Sequence, residues 1–412
     1  MAASFNATLQ PVAAEESSSV YVSDEVVRLL VIVGMVLFGI VISFFGVVAN
    51  SLIVSVFRRQ GFSDKTNISL CSLAVADLGV SLFAVFDCCF TAVYVVGLSD
   101  LDFEVFGVRA MLADYPRLIL AKVSSWLTAY ISTERCLCVM FPFWTRTSFT
   151  PRITITSVIC ITVTVLFLHF PLYYVRTFQW VFHPHLNRTL LTVVFIPDRL
   201  NSYKGMSAPL FSFLPLVNLI IISLSTMILA KQVMRSAKWR ENHSSADNTQ
   251  KTTGTQRSRN GLSSSLAGAT SSVVTTPSLS AEHGSGYPNS DSQIRNTKKE
   301  EKNIPPANTQ DKQDVSKQSR KSTALTKMVT VVTIVFIVCT TPSNISISIG
   351  ILYPTFSTTG RMRNLFVSLM VFWKLLEIMN SVLNIFVYYK MSSKFKTTFN
   401  EMYAVKNQKS KE

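Results

Sequence analysis

Four ionisable side chains, Arg117, Asp87, Lys374 and Glu377, each lie inside a long apolar run of the sequence. Charges at such depth are costly in hydrocarbon and either pair with one another or mark a functional site. Lys374 and Glu377 are spaced i, i+3 and share one helix face. Arg117 falls about five helical turns from Arg135, and Asp87 about three turns from Asp77. The planar fork of an arginine suits carboxylate, sulfate or phosphate. With acids beside it, a zwitterion such as an amino acid or a short peptide is a fitting guest. The alternative is mutual neutralisation, Lys374 with Glu377 and Arg117 with Asp87, which would close a helix bundle without touching a ligand.

A second set is polar and deeper. Asn50, Asp77, Ser124, Asn380 and Asn384 come from four apolar runs. Each unpaired polar group costs several kcal/mol in hydrocarbon, so partners or water are required. Oxygen donors of this kind suit a hard cation such as Na⁺; a purely structural polar knot is the alternative. A third set is the adjacent pair Glu134-Arg135, where the third apolar run ends.

The elements that must carry these residues are membrane spans. The chain has 412 residues, 48% of them hydrophobic and only 15% charged. A helix crosses a bilayer with about 20 apolar residues. Seven runs qualify: Leu29–Phe57, Ile68–Val96, Met111–Phe141, Ile153–Val175, Pro209–Leu229, Met328–Leu352 and Leu365–Tyr389. Val31–Val56 is apolar on all faces, unlike the amphipathic helices of a soluble repeat. The expected fold is an all-α membrane protein, a seven-helix bundle with a short amphipathic helix after the last span.

The net charge is +15, and its placement orients the chain. Loops that stay in the cytosol carry excess Lys and Arg. With the N-terminus outside, Arg58, Arg59, Lys65, Arg146, Arg152, Lys390, Lys394 and Lys396 fall on the cytosolic side. Asp100, Asp102 and Glu104 fall outside, while Arg176, Arg188, Arg199, Arg361 and Arg363 break the pattern, as solvated surface or, alternatively, as a face towards an anionic cue. The expected division is an extracellular segment 1–28, five spans over 29–231, a disordered cytosolic loop over 232–324, two spans over 325–390, and an amphipathic helix with a cytoplasmic tail over 391–412. The loop is rich in Ser, Thr, Asn, Gln and Lys and too poor in apolar residues to fold. Asn6-Ala7-Thr8 and Asn187-Arg188-Thr189 are glycosylation sequons that both land outside. The first residues lack a basic stretch followed by an apolar core, so no cleavable signal peptide is expected.

Several of these stretches together resemble the rhodopsin-like G-protein-coupled receptors. The resemblance rests on Asn50 in GVVAN, Asp77 in LAVAD, the Glu134-Arg135-Cys136 triplet, a span with Phe336, Cys339 and Pro342, and Asn384-Ile385-Phe386-Val387-Tyr388. They occur in the family's order over about Gly46–Phe399, apart from the loop before the sixth span. NISLCSLAVADL, TERCLCVMFP, SAKWR, GRMRNLF and VYYKMSSKFKTTF are similar to chemosensory receptors of gastropod molluscs.

The resemblance implies a plasma-membrane receptor, not an enzyme. It would bind an extracellular small molecule or peptide and activate a heterotrimeric G protein, with kinases and arrestin acting at the long inner loop. It also implies an activation switch of Glu134, Arg135, Phe336, Pro342 and Tyr388. Arg135 would rest on Glu134 and swing inward, towards Tyr388, as the sixth helix moves away. The family's acid on that helix is absent, which implies a weak restraint and raised basal activity. In amine receptors the position matched by Arg117 is an Asp, and the reversed sign disfavours a simple monoamine ligand.

Other departures bear on the outer loops. The family's disulfide position falls near Ala110, and Arg176–Lys204 contains no Cys, so no staple and a looser second outer loop are expected. The seven cysteines lack metal-ligand spacing with His. An opsin is disfavoured because its retinal lysine position matches Ile378, not Lys374. A neuropeptide receptor of the same fold is the nearest alternative. A transporter would show internal repeats or broken helices. No phosphate loop or HExxH motif is present, and the positive charge flanks membrane spans rather than a folded nucleic-acid-binding face.

Overall fold

The computed structural model describes residues 21–97, 101–184, 186–263 and 309–403. Its helices are α1 (Asp24–Gln60), α2 (Lys65–Val96), α3 (105–140), the short α4 (Pro142–Ser148), α5 (Pro151–His169), α6 (197–263), α7 (Thr309–Leu352), α8 (Arg363–Met391) and α9 (Ser393–Tyr403). Helix α1 packs on α2 and α8, α2 also on α3, α5 and α8, and α3 on α5.

Local sequence sets the ends. The Ser23 and Asp64 side chains accept hydrogen bonds from Val26 N and Thr66 N, capping α1 and α2. Thr150 caps α5, with Pro151 at its first position. Because Ser23 caps an amphipathic turn, α1 starts at Asp24 rather than Leu29. Gly97 closes α2 at φ 69°, a left-handed conformation that side chains disfavour. Gly46 lets α1 approach α2: a Cβ there would collide with the Ser81 side chain.

Among the described residues, six helices are long and apolar enough to cross a membrane. The remaining long helix, α3, carries Arg109, Asp114, Arg117, Lys122, Glu134 and Arg135. Its buried residues run from Tyr115 through Cys136 and include Arg117, Glu134 and Arg135. A helix this polar is stable in hydrocarbon only when neighbours satisfy its charges. The bundle's outside is apolar, with Leu37, Phe38, Phe44, Val163, Phe167 and Phe386 all exposed, as a lipid-facing surface requires.

The segment after α5 overturns one expectation. It is a hairpin, not a loose loop: β1 (Arg176–His183) pairs antiparallel with β2 (Arg188–Phe195), from Arg176 opposite Phe195 to His183 opposite Arg188. Both strands are rich in Thr, Val and aromatic residues, which favour a pleated surface. A backbone bridge ties the hairpin to the residues before α3: Glu104 N–H donates to Leu191 O (2.9 Å) and Leu191 N–H to Asp102 O (2.8 Å). The Arg176 guanidinium stacks between Tyr115 and Phe195, 4.8 and 4.5 Å from the ring centres. The cysteines are free thiols, so backbone and cation–π contacts hold this loop.

The stretch expected to be disordered over 232–324 differs at both ends. Helix α6 runs on to Ser263 and α7 begins at Thr309, and residues 264–308 lie outside the described residues. A helix already nucleated by a membrane span extends at little cost even through polar sequence. The chain divides into two compact units, one of Met1–Gln232 with Ala324–Glu412 and one of Val233–Thr323. The described residues of the second belong to these helical extensions. In the first, α9 is amphipathic: Phe395 is buried against Phe57 and Tyr388, while Lys394 and Lys396 are not buried.

Candidate functional site

At the hairpin end of the bundle, α2, α3 and α8 bring all four apolar-run charges together, in a pairing the sequence did not indicate. Lys374 reaches Asp87 (Nζ–Oδ2 2.6 Å), and Arg117 reaches Glu377 (Nη1–Oε2 3.4 Å). The expected partners, Arg117 with Asp87 and Lys374 with Glu377, are exchanged. Asp114 is the cause, since its Oδ1 lies 2.8 Å from Lys374 Nζ and 3.1 Å from Arg117 Nη2. Asp114 closes the π-helical stretch Ala110–Asp114; such a stretch shifts the phase of the residues around it and recurs at functional sites. Arg109 completes the set, 2.7 Å from Asp87. Three cations and three carboxylates therefore balance in one lattice. The Asp87 side chain has no exposure and that of Arg117 only 6%, so removing one partner would leave an uncompensated buried charge.

Deeper in the bundle, Asp77 is 1% exposed. Ser124 Oγ donates to its Oδ1 (2.6 Å) and Asn384 Nδ2 to its Oδ2 (2.8 Å). Asn50 Nδ2 donates to the Gly46 and Ser381 carbonyls, both at 3.0 Å, and Ser381 shares a hydroxyl contact with Ser81. Asn50, Asp77, Ser124 and Asn384 thus join through the serines of α2 and α8. Asn380 is buried beside them, but among the described residues it makes no hydrogen bond to Asp77.

At the opposite end, Arg135 Nη2 donates to Glu134 Oε1 and to Thr66 Oγ1, both at 2.9 Å. Lys65 Nζ lies 3.3 Å from the same Glu134 oxygen. Lys65 and Thr66 open α2, so this clamp lies between α2 and α3. Tyr388 is 1% exposed, and its hydroxyl has no hydrogen-bond partner among the described residues. Phe57 and Phe395 hold its ring, each 5.8 Å away. Phe336 packs with Ala129 and Ile222, and Pro342 lies inside α7.

Sequence reasoning missed Arg109, Asp114 and Lys65. Asp114 and Arg109 sit near the end of an apolar run, where a charge reads as interfacial. Lys65 reads as one more basic loop residue. The i, i+3 relation of Asp114 to Arg117 was the available signal.

Of the two sequons, Asn6 lies outside the described residues. Asn187 is exposed at the hairpin turn with φ 49°. An exposed turn is accessible to a glycosyltransferase. Asn187→Gln is therefore expected to remove a glycosidase-sensitive mobility shift from the expressed chain. An unchanged shift would place the glycan elsewhere.

No curated protein matches the chain. The sequence pattern of the 7 transmembrane receptor (rhodopsin family) matches residues 49–388, a stretch that begins one residue before Asn50 and ends on Tyr388. That match covers most of the 412 residues, and within it lie the Asp77 cluster, the Glu134-Arg135 clamp and the charged lattice; the chain belongs to the rhodopsin family of seven-transmembrane receptors.

Proposed function

We propose that this receptor sits in the plasma membrane with its N-terminus and hairpin outside, binds a zwitterionic or acidic small molecule at the lattice of α2, α3 and α8, and activates a heterotrimeric G protein. The balanced lattice carries the ligand reading. A guest of one sign must break an ion pair and strand its partner, at a cost of about 3–5 kcal/mol. A zwitterion exchanges partners with both signs and strands neither. Its carboxylate would take the Arg117 fork and its ammonium Glu377. The chemosensory role rests on the stretches that resemble gastropod receptors. A peptide ligand is the second reading, favoured by Phe178, Trp180 and Phe182, which are exposed at alternate positions of β1.

The inner half follows the same logic. Arg135 rests on Glu134 and Thr66, and its release towards Tyr388 would open the groove for a G-protein helix. A Na⁺ ion fits the Asp77 and Ser124 oxygens, provided the Asn384 amide turns to present its carbonyl. Kinases and arrestin would act on the segment between α6 and α7.

The test is G-protein activation in cells challenged with free amino acids and short peptides, each beside its amidated and N-acetylated forms. Capping either end is expected to lower potency about 10–100-fold, the value of one charge-assisted contact. Glu377→Gln is expected to erase the difference between free and N-acetylated ligands. Equal potency of free and capped forms on the unaltered receptor would make the lattice structural and overturn the ligand reading.

A further inference from the structure

Between the balanced lattice and the Arg135 clamp, α3 carries a further cation, Lys122. Its Nζ lies 3.3 Å from Asn344 Oδ1 on α7, and no carboxylate lies within ion-pairing distance of it among the described residues. Glu377, the acid of α8, is held by Arg117. Lys122 lines a cavity of about 10 Å³ between α3, α5 and α6, the room of roughly one water-sized guest. Ser125, Asn218 and His169 line the same cavity. Asn218 is 1% exposed, and neither its Nδ2 nor its Oδ1 has a partner among the described residues. His169 is 4% exposed; its Nδ1 meets Val165 O at 2.8 Å, so that nitrogen carries the proton, and Nε2 has no partner among the described residues. Leu210, Leu214 and Val165 supply apolar wall.

An unpaired ammonium beside an orphaned buried amide is expensive in hydrocarbon, and a guest that satisfies both lowers that cost. Water can satisfy the amide but leaves the charge. A small anion satisfies both: it accepts from Lys122 Nζ and from Asn218 Nδ2 and cancels the charge. The Asn218 carbonyl and the unprotonated His169 Nε2 would repel a second negative charge, which restricts the guest to a monoanion. We infer that the Lys122–Asn218–His169 cavity is a monoanion site, separate from the lattice at Arg117, with room for one chloride ion or for one oxygen of a carboxylate. The site is independent of the ligand reading given above, because the lattice cations are matched by carboxylates and Lys122 is not.

The experiment is thermal unfolding of the full chain in lipid nanodiscs, in chloride, in formate, and in the bulky anion gluconate at equal ionic strength. At about 150 mM chloride and a Kd on the order of 10 mM, binding is expected to raise Tm by about 2 °C over gluconate. Lys122→Gln is expected to abolish the shift. Asn218→Asp places a carboxylate inside the cavity, so its Tm in gluconate should match the unaltered chain in chloride, with no further response to anions. A chloride shift identifies the ion of the medium as the guest. A shift with formate alone identifies a carboxylate, as an acidic ligand would supply. No shift with either anion, or the same shift in Lys122→Gln or Asn218→Asp, would overturn the site. The readout involves neither agonist nor G protein, so failure of the zwitterion reading would not alter it.

Discussion

Asp114→Asn is expected to destabilise the receptor by about 3–5 kcal/mol and to remove most of it from the cell surface. The side chain keeps its shape and one oxygen, so the loss is one of charge. Asp114 Oδ1 alone touches both Lys374 and Arg117. Without its charge, three cations face two carboxylates in a site of low dielectric. The specificity of this account lies in its rescue. Lys374→Met removes one cation while keeping an apolar stem, so the double variant Asp114→Asn/Lys374→Met restores neutrality. It is expected to recover about 2 kcal/mol relative to the sum of the single changes. Thermal unfolding in nanodiscs with a double-mutant cycle measures that coupling. Additive single changes would mean that Asp114 acts through local helix geometry rather than through the lattice.

The charge of Asp114 shows where sequence reading succeeds and where it stops. Span number and order follow from run length and apolarity, which are local properties of the chain. That Asp87, Arg117, Lys374 and Glu377 meet follows from depth: each sits at a similar distance from the same end of its run. Which charge pairs with which does not follow, because it depends on helix phase. The π-helical stretch Ala110–Asp114 alters that phase just before Arg117, and no periodicity in the sequence signals it. The hairpin shows a different failure. RTFQWVFH and RTLLTVVF are rich in β-branched and aromatic residues, yet no strand was read in them and absence of a disulfide was read as slack. The bridge from Asp102 and Glu104 to Leu191 uses backbone atoms, which side-chain identity does not reveal. The polar cluster at Asp77 was more legible, since buried Asn and Asp must find partners wherever the helices place them. Its Ser81–Ser381 link was not, because serine is common in membrane helices and tolerated singly.

The same limit governs the inner clamp, and there it changes the expectation for signalling. With no acid at the family's position on α7, where Ser322 and its neighbours are uncharged or basic, the sequence implied that Arg135 is weakly restrained. The structure instead restrains Arg135 from α2, through Thr66, and fixes Glu134 with Lys65. Glu134 is 1% exposed and takes Lys65 and Arg135 on one oxygen, its Oε2 having no partner. Glu134→Gln removes the charge that attracts both cations and leaves Arg135 with neutral acceptors, the glutamine oxygen and the Thr66 hydroxyl. A restraint weakened by about 1.4 kcal/mol shifts a two-state population tenfold. Basal G-protein activation per surface receptor is therefore expected to rise about tenfold in Glu134→Gln. In Lys65→Met the Arg135 contact survives and the carboxylate loses a competitor, so basal activity is expected to stay level or fall. If the two variants raise basal activity equally, Lys65 and Arg135 act as one restraint. If neither raises it, the clamp between α2 and α3 does not hold the resting state, because movement of α7 alone then suffices to set it.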